Sequence, residues 1–459
     1  FLICSLISFA AGGLIVLKKP SNKRFYAREG FVICSMTWIV ISLVGAIPFV
    51  ITGVLPNYID ALFEIVSGFT TTGSSVITDL TPVPHCVLLW RSFSHWIGGM
   101  GVLVFILAVL PLFGGVDMHL MRAESPGPSV GKLVPNVKKT ASYLYKIYLG
   151  MTVVQFVILL LSGMNLFDSI CITFGTAGTG GFGIHNDSCL GYTMPQQTII
   201  AVFMLLFGIN FNVYFLIVRK KVKEIFNIEE VKWYLIIVFG AVAAIVINWG
   251  DTENLYYSIH HAFFSVASVI TTTGYGTVDF NLWPMFSKFV IVMIMFIGAC
   301  AGSTGGGMKV SRILIYVKTV KKEIEGMIHQ KSIKVLKMDG KIVEHSVIRN
   351  ANVYLVSYLM IMAVSLLIVA LDNFDFETSF TAVAATFNNI GPGLGKVGPT
   401  GNFSEFSNLS KFSILSFNTL SIFKIFSAKC SSKPDCSKPH LCSIQYQIFK
   451  LISYRLHCK

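Results

Sequence analysis

Four stretches rich in threonine and glycine interrupt an otherwise apolar chain, and each aligns on one glycine: ALFEIVSGFTTTG (Ala61 to Gly73), DSICITFGTAGTG (Asp168 to Gly180), AFFSVASVITTTG (Ala262 to Gly274) and SFTAVAATFNNIG (Ser379 to Gly391). A dehydrated alkali cation needs a cage of oxygens in place of its water, and extended backbone of this kind offers carbonyls from successive residues on several sides of an axis. Glycine permits the backbone angles and the close approach that such a cage requires, while threonine stiffens the loop and can add a hydroxyl. The candidate ligands are Thr71, Thr72 and Gly73; Gly178, Thr179 and Gly180; Thr272, Thr273 and Gly274; and Asn389, Ile390 and Gly391. One such stretch alone reads equally well as tight packing between membrane helices, where small residues are common. Four in one chain, each between two apolar spans, point to a pore.

The elements that must position these residues follow from the composition. Hydrophobic residues make up 54% of the chain, charged residues 13%, and mean hydropathy is +0.69, which places the chain among polytopic helical membrane proteins. The apolar segments are continuous runs, such as Val102 to Leu110 and Phe289 to Ile297, and lack the alternation of a membrane barrel. Before each Thr/Gly stretch lies a half-apolar segment of about ten residues, too short to cross ~30 Å of hydrocarbon but long enough to enter halfway and return. The dips are expected at Thr70 to Ser75, Thr176 to Gly183, Thr271 to Thr277 and Asn388 to Gly395. The aligned glycines are 107, 94 and 117 residues apart, the length that a helix, a dip, a second helix and a connector require. The expected fold is an all-α polytopic membrane protein with four pseudo-symmetric helix–pore loop–helix repeats around a central ion pore. Residues 1–30 would form a first membrane helix and a basic connector, in a chain incomplete at its N-terminus. The repeats would occupy 31–115, 140–220, 232–325 and 346–427, and an aberrant Cys/Lys-rich tail 428–459.

Charge sets the orientation. Lys and Arg crowd into alternate connectors, Lys18 to Arg28, Arg122 to Lys146, Arg219 to Lys232 and Lys309 to Arg349, which therefore face the cytoplasm. This accounts for the net charge of +13 without nucleic acid, since no basic patch is interleaved with stacking aromatics. The opposite connectors hold Asp60, Asp79, Asp187, Asp251, Glu253, Asp279, Asp372, Asp375 and Glu377, with Lys396 as their main cation. That acidity either concentrates cations outside the pore or reflects only the depletion of Lys and Arg there.

Among other candidates, Gly298 to Lys309 (GACAGSTGGGMK) resembles a phosphate-binding loop, but Met308 separates the glycine from the lysine and no soluble strand precedes it. The stretch is either a helix break packed on a neighbour or a movable plug beneath the third Thr/Gly loop, with Gly302, Ser303, Thr304, Gly305, Gly306 and Gly307 as its body. The adjacent His260 and His261 point about 100° apart on a helix and make poor metal ligands. Glu64 is either a satisfied structural carboxylate or a group that tunes cation entry, and the Gly-Gly-Met-Gly segment after His95 and Trp96 reads as close helix packing. The ten cysteines form no C-x-x-C pair, and no Ser/His/Asp or paired-carboxylate arrangement for catalysis is present; an enzyme is not expected.

Residues Phe63 to Gly73, His95 to Gly101, Gly178 to Phe182, Thr271 to Gly276, Gly302 to Lys309 and Asn388 to Gly393 together resemble the bacterial Trk-type potassium uptake family (TrkH/TrkG), of the superfamily that includes KtrB and the plant HKT transporters. The resemblance covers roughly residues 1 to 410. It implies K⁺ uptake through a channel-like pore, Gly302 to Gly307 as the intramembrane gating loop, and a homodimer in the inner membrane of a bacterium, surrounded by lipid and binding no nucleic acid. It also implies that this chain binds no cofactor, K⁺ at the filter being its metal ion, and that NAD(H), ATP and ADP bind a cytoplasmic TrkA-type regulatory subunit. A K⁺/H⁺ or K⁺/Na⁺ symporter, or a Na⁺-permeable relative, is the alternative; the scarcity of acids within the spans favours the channel-like reading. From about Phe412 the chain departs from the family, which has a Gly-Arg-Leu-Glu segment where this sequence reads Ser421-Ile422-Phe423-Lys424. With Cys430, Cys436, Cys442 and Cys458 beyond it, that departure is expected to reflect a shifted reading frame.

Overall fold

The computed structural model describes residues 27–101, 137–249, 254–329 and 335–415, with a few positions ahead of residue 14. Most of the first membrane helix, the part of the first repeat past Gly101, most of the Arg122 to Lys146 connector, Lys424 and the cysteine tail lie outside the described residues.

The same order of elements recurs along the chain. Helix α1 (Ala27–Ile51) leads to a short α2 (Tyr58–Phe69), a loop and α3 (His85–Met100). Helix α4 (Val137–Leu161) leads to α5 (Leu166–Gly178), a loop and the pair α6 (Met194–Gly208) and α7 (Phe211–Val218), then a one-turn α8 (Val222–Ile225). Helix α9 (Glu229–Trp249) leads to α10 (Leu255–Ile270), a loop and α11 (Met285–Ile297), then α12 (Val310–Ile328). A two-stranded hairpin, β1 (Lys337–Met338) with β2 (Lys341–Ile342), precedes α13 (His345–Val369), α14 (Phe376–Phe387), a loop, and helical residues 408–415.

Length separates two kinds of helix. Ser142–Leu161, Glu229–Trp249 and His345–Asp372 are long and apolar enough to cross a membrane, and α6 with α7 makes a fourth such span bent by 90° at Ile209 and Asn210. The helices before the loops, α2, α5, α10 and α14, have 12 to 16 residues, about 18–24 Å at 1.5 Å per residue, so they stop inside the membrane. Three of them start at a side-chain cap: Asn57 accepts from Ile59 N, Asn165 from Asp168 N and Asp375 from Thr378 N. Their buried faces are largely aliphatic and small, as in Ala262, Val266, Ala267 and Ile270 of α10.

Small residues let α3 wedge between the first two short helices. A Cβ on Gly98 would fall 2.3 Å from the Phe69 carbonyl oxygen, and one on Gly99 2.5 Å from Gly178 Cα. The helix packing expected of this Gly-Gly-Met-Gly segment is therefore present. Against the same wedge, Glu64 and Arg91 form a buried ion pair at 2.8 Å, 0% and 2% exposed. Both Glu64 oxygens are occupied, receiving the Ser75 hydroxyl (2.9 and 3.1 Å) and Val76 N–H (2.9 Å) besides the guanidinium. Arg91 donates onward to the Gly183 carbonyl at 3.1 Å and lies 4.2 Å over the Phe182 ring, tying the first loop to the second. Glu64 is thus the satisfied structural carboxylate of the two readings.

Removing one partner of such a pair leaves a charge uncompensated at a cost of about 3–5 kcal/mol, whereas replacing both with apolar groups is often tolerated. Arg91→Met should therefore lower the detergent-solubilised protein's thermal midpoint sharply, and Glu64→Leu combined with Arg91→Met should recover much of it. Equal midpoints for parent and Arg91→Met would contradict this account.

Candidate functional site

The four loops begin with one backbone device. After each short helix the chain turns through a left-handed residue, Thr71 (φ 58°), Thr179 (φ 54°), Thr272 (φ 58°) and Asn389 (φ 60°). The next amide reaches back to the helix: Thr72 N to Ser67 O (2.8 Å), Gly180 N to Gly175 O (2.9 Å), Thr273 N to Ser268 O (2.8 Å) and Ile390 N to Ala385 O (2.8 Å). This closes the helix C-terminus, yet three of the four left-handed positions carry threonine, where a left-handed backbone costs of order 1–3 kcal/mol. One residue further come glycines with positive φ: Gly73, Gly181, Gly274 and Gly391.

This register corrects the second quarter by one residue. The expected alignment on Gly180 placed Gly178, Thr179 and Gly180 beside Thr71, Thr72 and Gly73; the backbone instead matches Thr179, Gly180 and Gly181 to them. Gly178 is the last residue of α5, which runs two residues past the expected loop start at Thr176. The physical reason is where the helix terminates, since the left-handed turn falls on Thr179.

In this register the loops close into a ring. A Cβ added to Gly73 would lie 2.0 Å from the carbonyl oxygen of Gly180, one on Gly181 1.8 Å from that of Thr273, one on Gly274 2.0 Å from that of Ile390, and one on Gly391 2.8 Å from that of Thr72. Each glycine thus abuts the carbonyl at the same level of the next loop, and the fourth returns to the first. Side chains join the last seam: Asn389 Nδ2 donates to Thr70 O at 3.1 Å, and the Thr72 hydroxyl reaches Asn389 Oδ1 at 3.4 Å. The hydroxyls of Thr70 and Thr72 pair at 2.8 Å, as do those of Thr271 and Thr273, which stiffens both loops. Four short helices also end at this ring, and their C-terminal dipoles favour a cation there. Four carbonyls at one level, so supported, can stand in for hydration water.

Below the third loop, Gly298 to Lys309 connects α11 to α12 without helix. Gly306 N donates to the Thr272 hydroxyl at 2.6 Å and Gly307 N to Asn388 O at 3.1 Å, so the stretch bonds directly to two of the loops. It is also pinned to the bend between α6 and α7: Cys300 N donates to Gly208 O (3.0 Å), Phe211 N to Gly302 O (3.0 Å) and the Thr304 hydroxyl to Phe207 O (3.2 Å). The buried Lys309 ammonium donates to the Gly305 carbonyl. The packing on neighbours of the first sequence reading is present, and those neighbours include two loops of the ring.

Several described acids of the opposite connectors have local partners. Asp79 accepts from Asn186 Nδ2 (2.8 Å) and Thr81 N (2.9 Å), and these bonds hold its carboxyl below the usual range. Thr378 does the same for the capping Asp375 through its side chain and its N–H. Lys411 pairs with Asp60 at 2.8 Å and Lys396 with Glu405 at 2.6 Å. Asp79 and Asp375 therefore stay ionised at neutral pH while serving as turn and cap residues. His260 pairs with Gln197 (2.8 Å) and His261 with Thr277 (2.9 Å), so each imidazole has a structural role.

Sequence reasoning missed Arg91 and Gly181. A lone arginine inside an apolar run demanded a buried acid, and Glu64 was in view. For Gly181, the shared spacing of Gly181-Phe182-Gly183 with Gly274-Tyr275-Gly276 and Gly391-Pro392-Gly393 would have given the structural register.

Comparison with known proteins gives the family. Residues 1–422 match the TrkH family, described as cation transport protein. The Trk system potassium uptake protein TrkH of Escherichia coli (strain K12) is 35% identical over 434 residues, covering 91% of this chain and 89% of that protein. The Trk system potassium uptake protein TrkG of the same strain is 36% identical over 405 residues, covering 86% and 83%. The crystal structure of the potassium transporter TrkH from Vibrio parahaemolyticus superposes with a TM-score of 0.77 at 29% identity, covering 93% of this chain and 89% of that one. Helices long enough to span a membrane, four loops closed into a ring and similarity along nearly the whole length lead to one assignment: the chain belongs to the TrkH family of cation transport proteins, which are transporters and not enzymes.

Proposed function

We propose that this chain takes up K⁺ across a bacterial inner membrane through a selective, channel-like pore. The observation that carries the reading is the closed ring, in which each of four glycines abuts the carbonyl of the next loop. The filter consists of Thr71, Thr72 and Gly73; Thr179, Gly180 and Gly181; Thr272, Thr273 and Gly274; and Asn389, Ile390 and Gly391, with Gly178 one position deeper at a helix end. Gly302 to Gly307 is the gate, a role supported by its bonds to Thr272 and Asn388. Potassium uptake is what the named relatives do, which supports K⁺ as the ion. A symporter would need a carboxylate free to carry a proton or bind a second ion, and Glu64 in the first pore helix is fully engaged by Arg91, Ser75 and Val76. The family resemblance supports a homodimer and a cytoplasmic TrkA-type subunit that binds NAD(H), ATP and ADP.

Purified protein in proteoliposomes should pass K⁺ and Rb⁺ in preference to Na⁺. Gly73→Ser puts a side chain where a Cβ already meets the Gly180 carbonyl at 2.0 Å, so it should displace that oxygen and raise the relative Na⁺ flux. Parent protein that conducts Na⁺ and K⁺ equally would refute the filter.

Shortening Gly302 to Gly307 by two or three residues should raise basal Rb⁺ flux, because less of the cavity is blocked, and leave the ion preference unchanged. A folded deletion variant with parental flux would make the stretch packing alone.

A further inference from the structure

The ends of the Gly298 to Lys309 loop are tied by backbone bonds from Lys309 N to Ile297 O (3.0 Å) and from Val310 N to Ala299 O (3.1 Å), and what else fixes those ends decides whether the loop can move. One carboxylate meets both. Glu230, in the first turn of α9 and 4% exposed, receives the Ala301 N–H at 2.7 Å and the Ser311 N–H at 3.1 Å, both on Oε1. Ala301 lies early in the loop and Ser311 is the second residue of α12, so the single oxygen bridges the loop's entry and the helix that leaves it. A carboxylate there also faces the positive end of the α12 dipole, which strengthens the contact.

The helix carrying Glu230 is itself held from the cytoplasmic side. Asp339, in the turn of the β1–β2 hairpin, accepts from Glu229 N at 2.8 Å, and Lys318 of α12 pairs with the Glu229 carboxylate while donating to Lys337 O at 2.9 Å. The start of α9 is thus fixed independently of the loop.

We propose that Glu230 is a positioning residue for the gate: its carboxylate clamps both ends of the Gly298 to Lys309 loop and so holds Gly306 and Gly307 against the filter. The inference rests on the reading of this loop as the gate. Without the clamp the entry and the α12 terminus lose a shared charged acceptor, while the contacts of the four filter loops with one another are untouched. The loop then leaves its blocking position more often, and selectivity is untouched.

The test compares basal Rb⁺ uptake, per folded molecule, in proteoliposomes of purified chain for the parent, Glu230→Ala, Glu230→Gln and the Gly302 to Gly307 deletion, with thermal midpoints measured alongside. Loss of a buried charged acceptor is expected to raise uptake about tenfold in Glu230→Ala. Glu230→Gln, whose amide oxygen can accept both N–H groups, should stay near the parent. The Rb⁺/Na⁺ ratio should not change in either. A rise in the deletion but none in folded Glu230→Ala overturns the clamp and leaves the gate standing. A deletion that does not raise uptake removes the gate, and the clamp with it. If Glu230→Ala does not fold, Glu230→Asp, which keeps the charge and withdraws the oxygen by one methylene, takes its place with the same criteria.

Discussion

Everything in this molecule answers to one constraint: non-helical backbone inside a membrane must have its polar groups met by protein or by a polar path, because lipid offers no partner. Four short helices stop midway, and each leaves a loop at membrane depth. The loops meet the constraint mutually. Glycines at Gly73, Gly181, Gly274 and Gly391 let the backbones approach until each glycine abuts a neighbour's carbonyl, so none of the loops is complete without the next. The ion pair of Glu64 and Arg91 belongs to the same solution, since it occupies a loop amide at Val76 and a loop carbonyl at Gly183.

The stretch below the third loop solves the same problem differently. Gly298 to Lys309 places its amides on Thr272, Asn388, Gly208 and Glu230, and its carbonyls receive Phe211 and Lys309. The partners come from several repeats, so the stretch is coupled to the ring and to the bend between α6 and α7 at once.

Much of this was legible in the residues. The four Thr/Gly stretches, their half-apolar leaders and the long spans around them sufficed for the membrane class and the recurring order of elements. The packing role of Gly98 and Gly99 was visible as well. What could not be read from residue types was where a helix ends. In Gly178-Thr179-Gly180-Gly181 three glycines compete for one position, and only the hydrogen bond from Gly180 N to Gly175 O decides among them. The partnerships of Glu64 and Glu230 were equally hidden, because they depend on distances between segments remote in sequence. Glu64 was noticed for its position and Glu230 was not, since it sits in a basic connector among other charges.

The seam between the fourth loop and the first joins residues more than three hundred positions apart, as in Asn389 to Thr70. A ribosome working from the N-terminus completes three quarters of the ring before the residues that shut it exist. Until then the first loop's carbonyl at Thr72 lacks Gly391 and the third loop's Gly274 lacks Ile390, and the nascent chain must hold polar backbone at an open edge inside the bilayer. Biogenesis is consequently all or nothing: closing a contact of such long range is slow, and a chain halted before the fourth quarter contains three of the four loops but cannot close the ring.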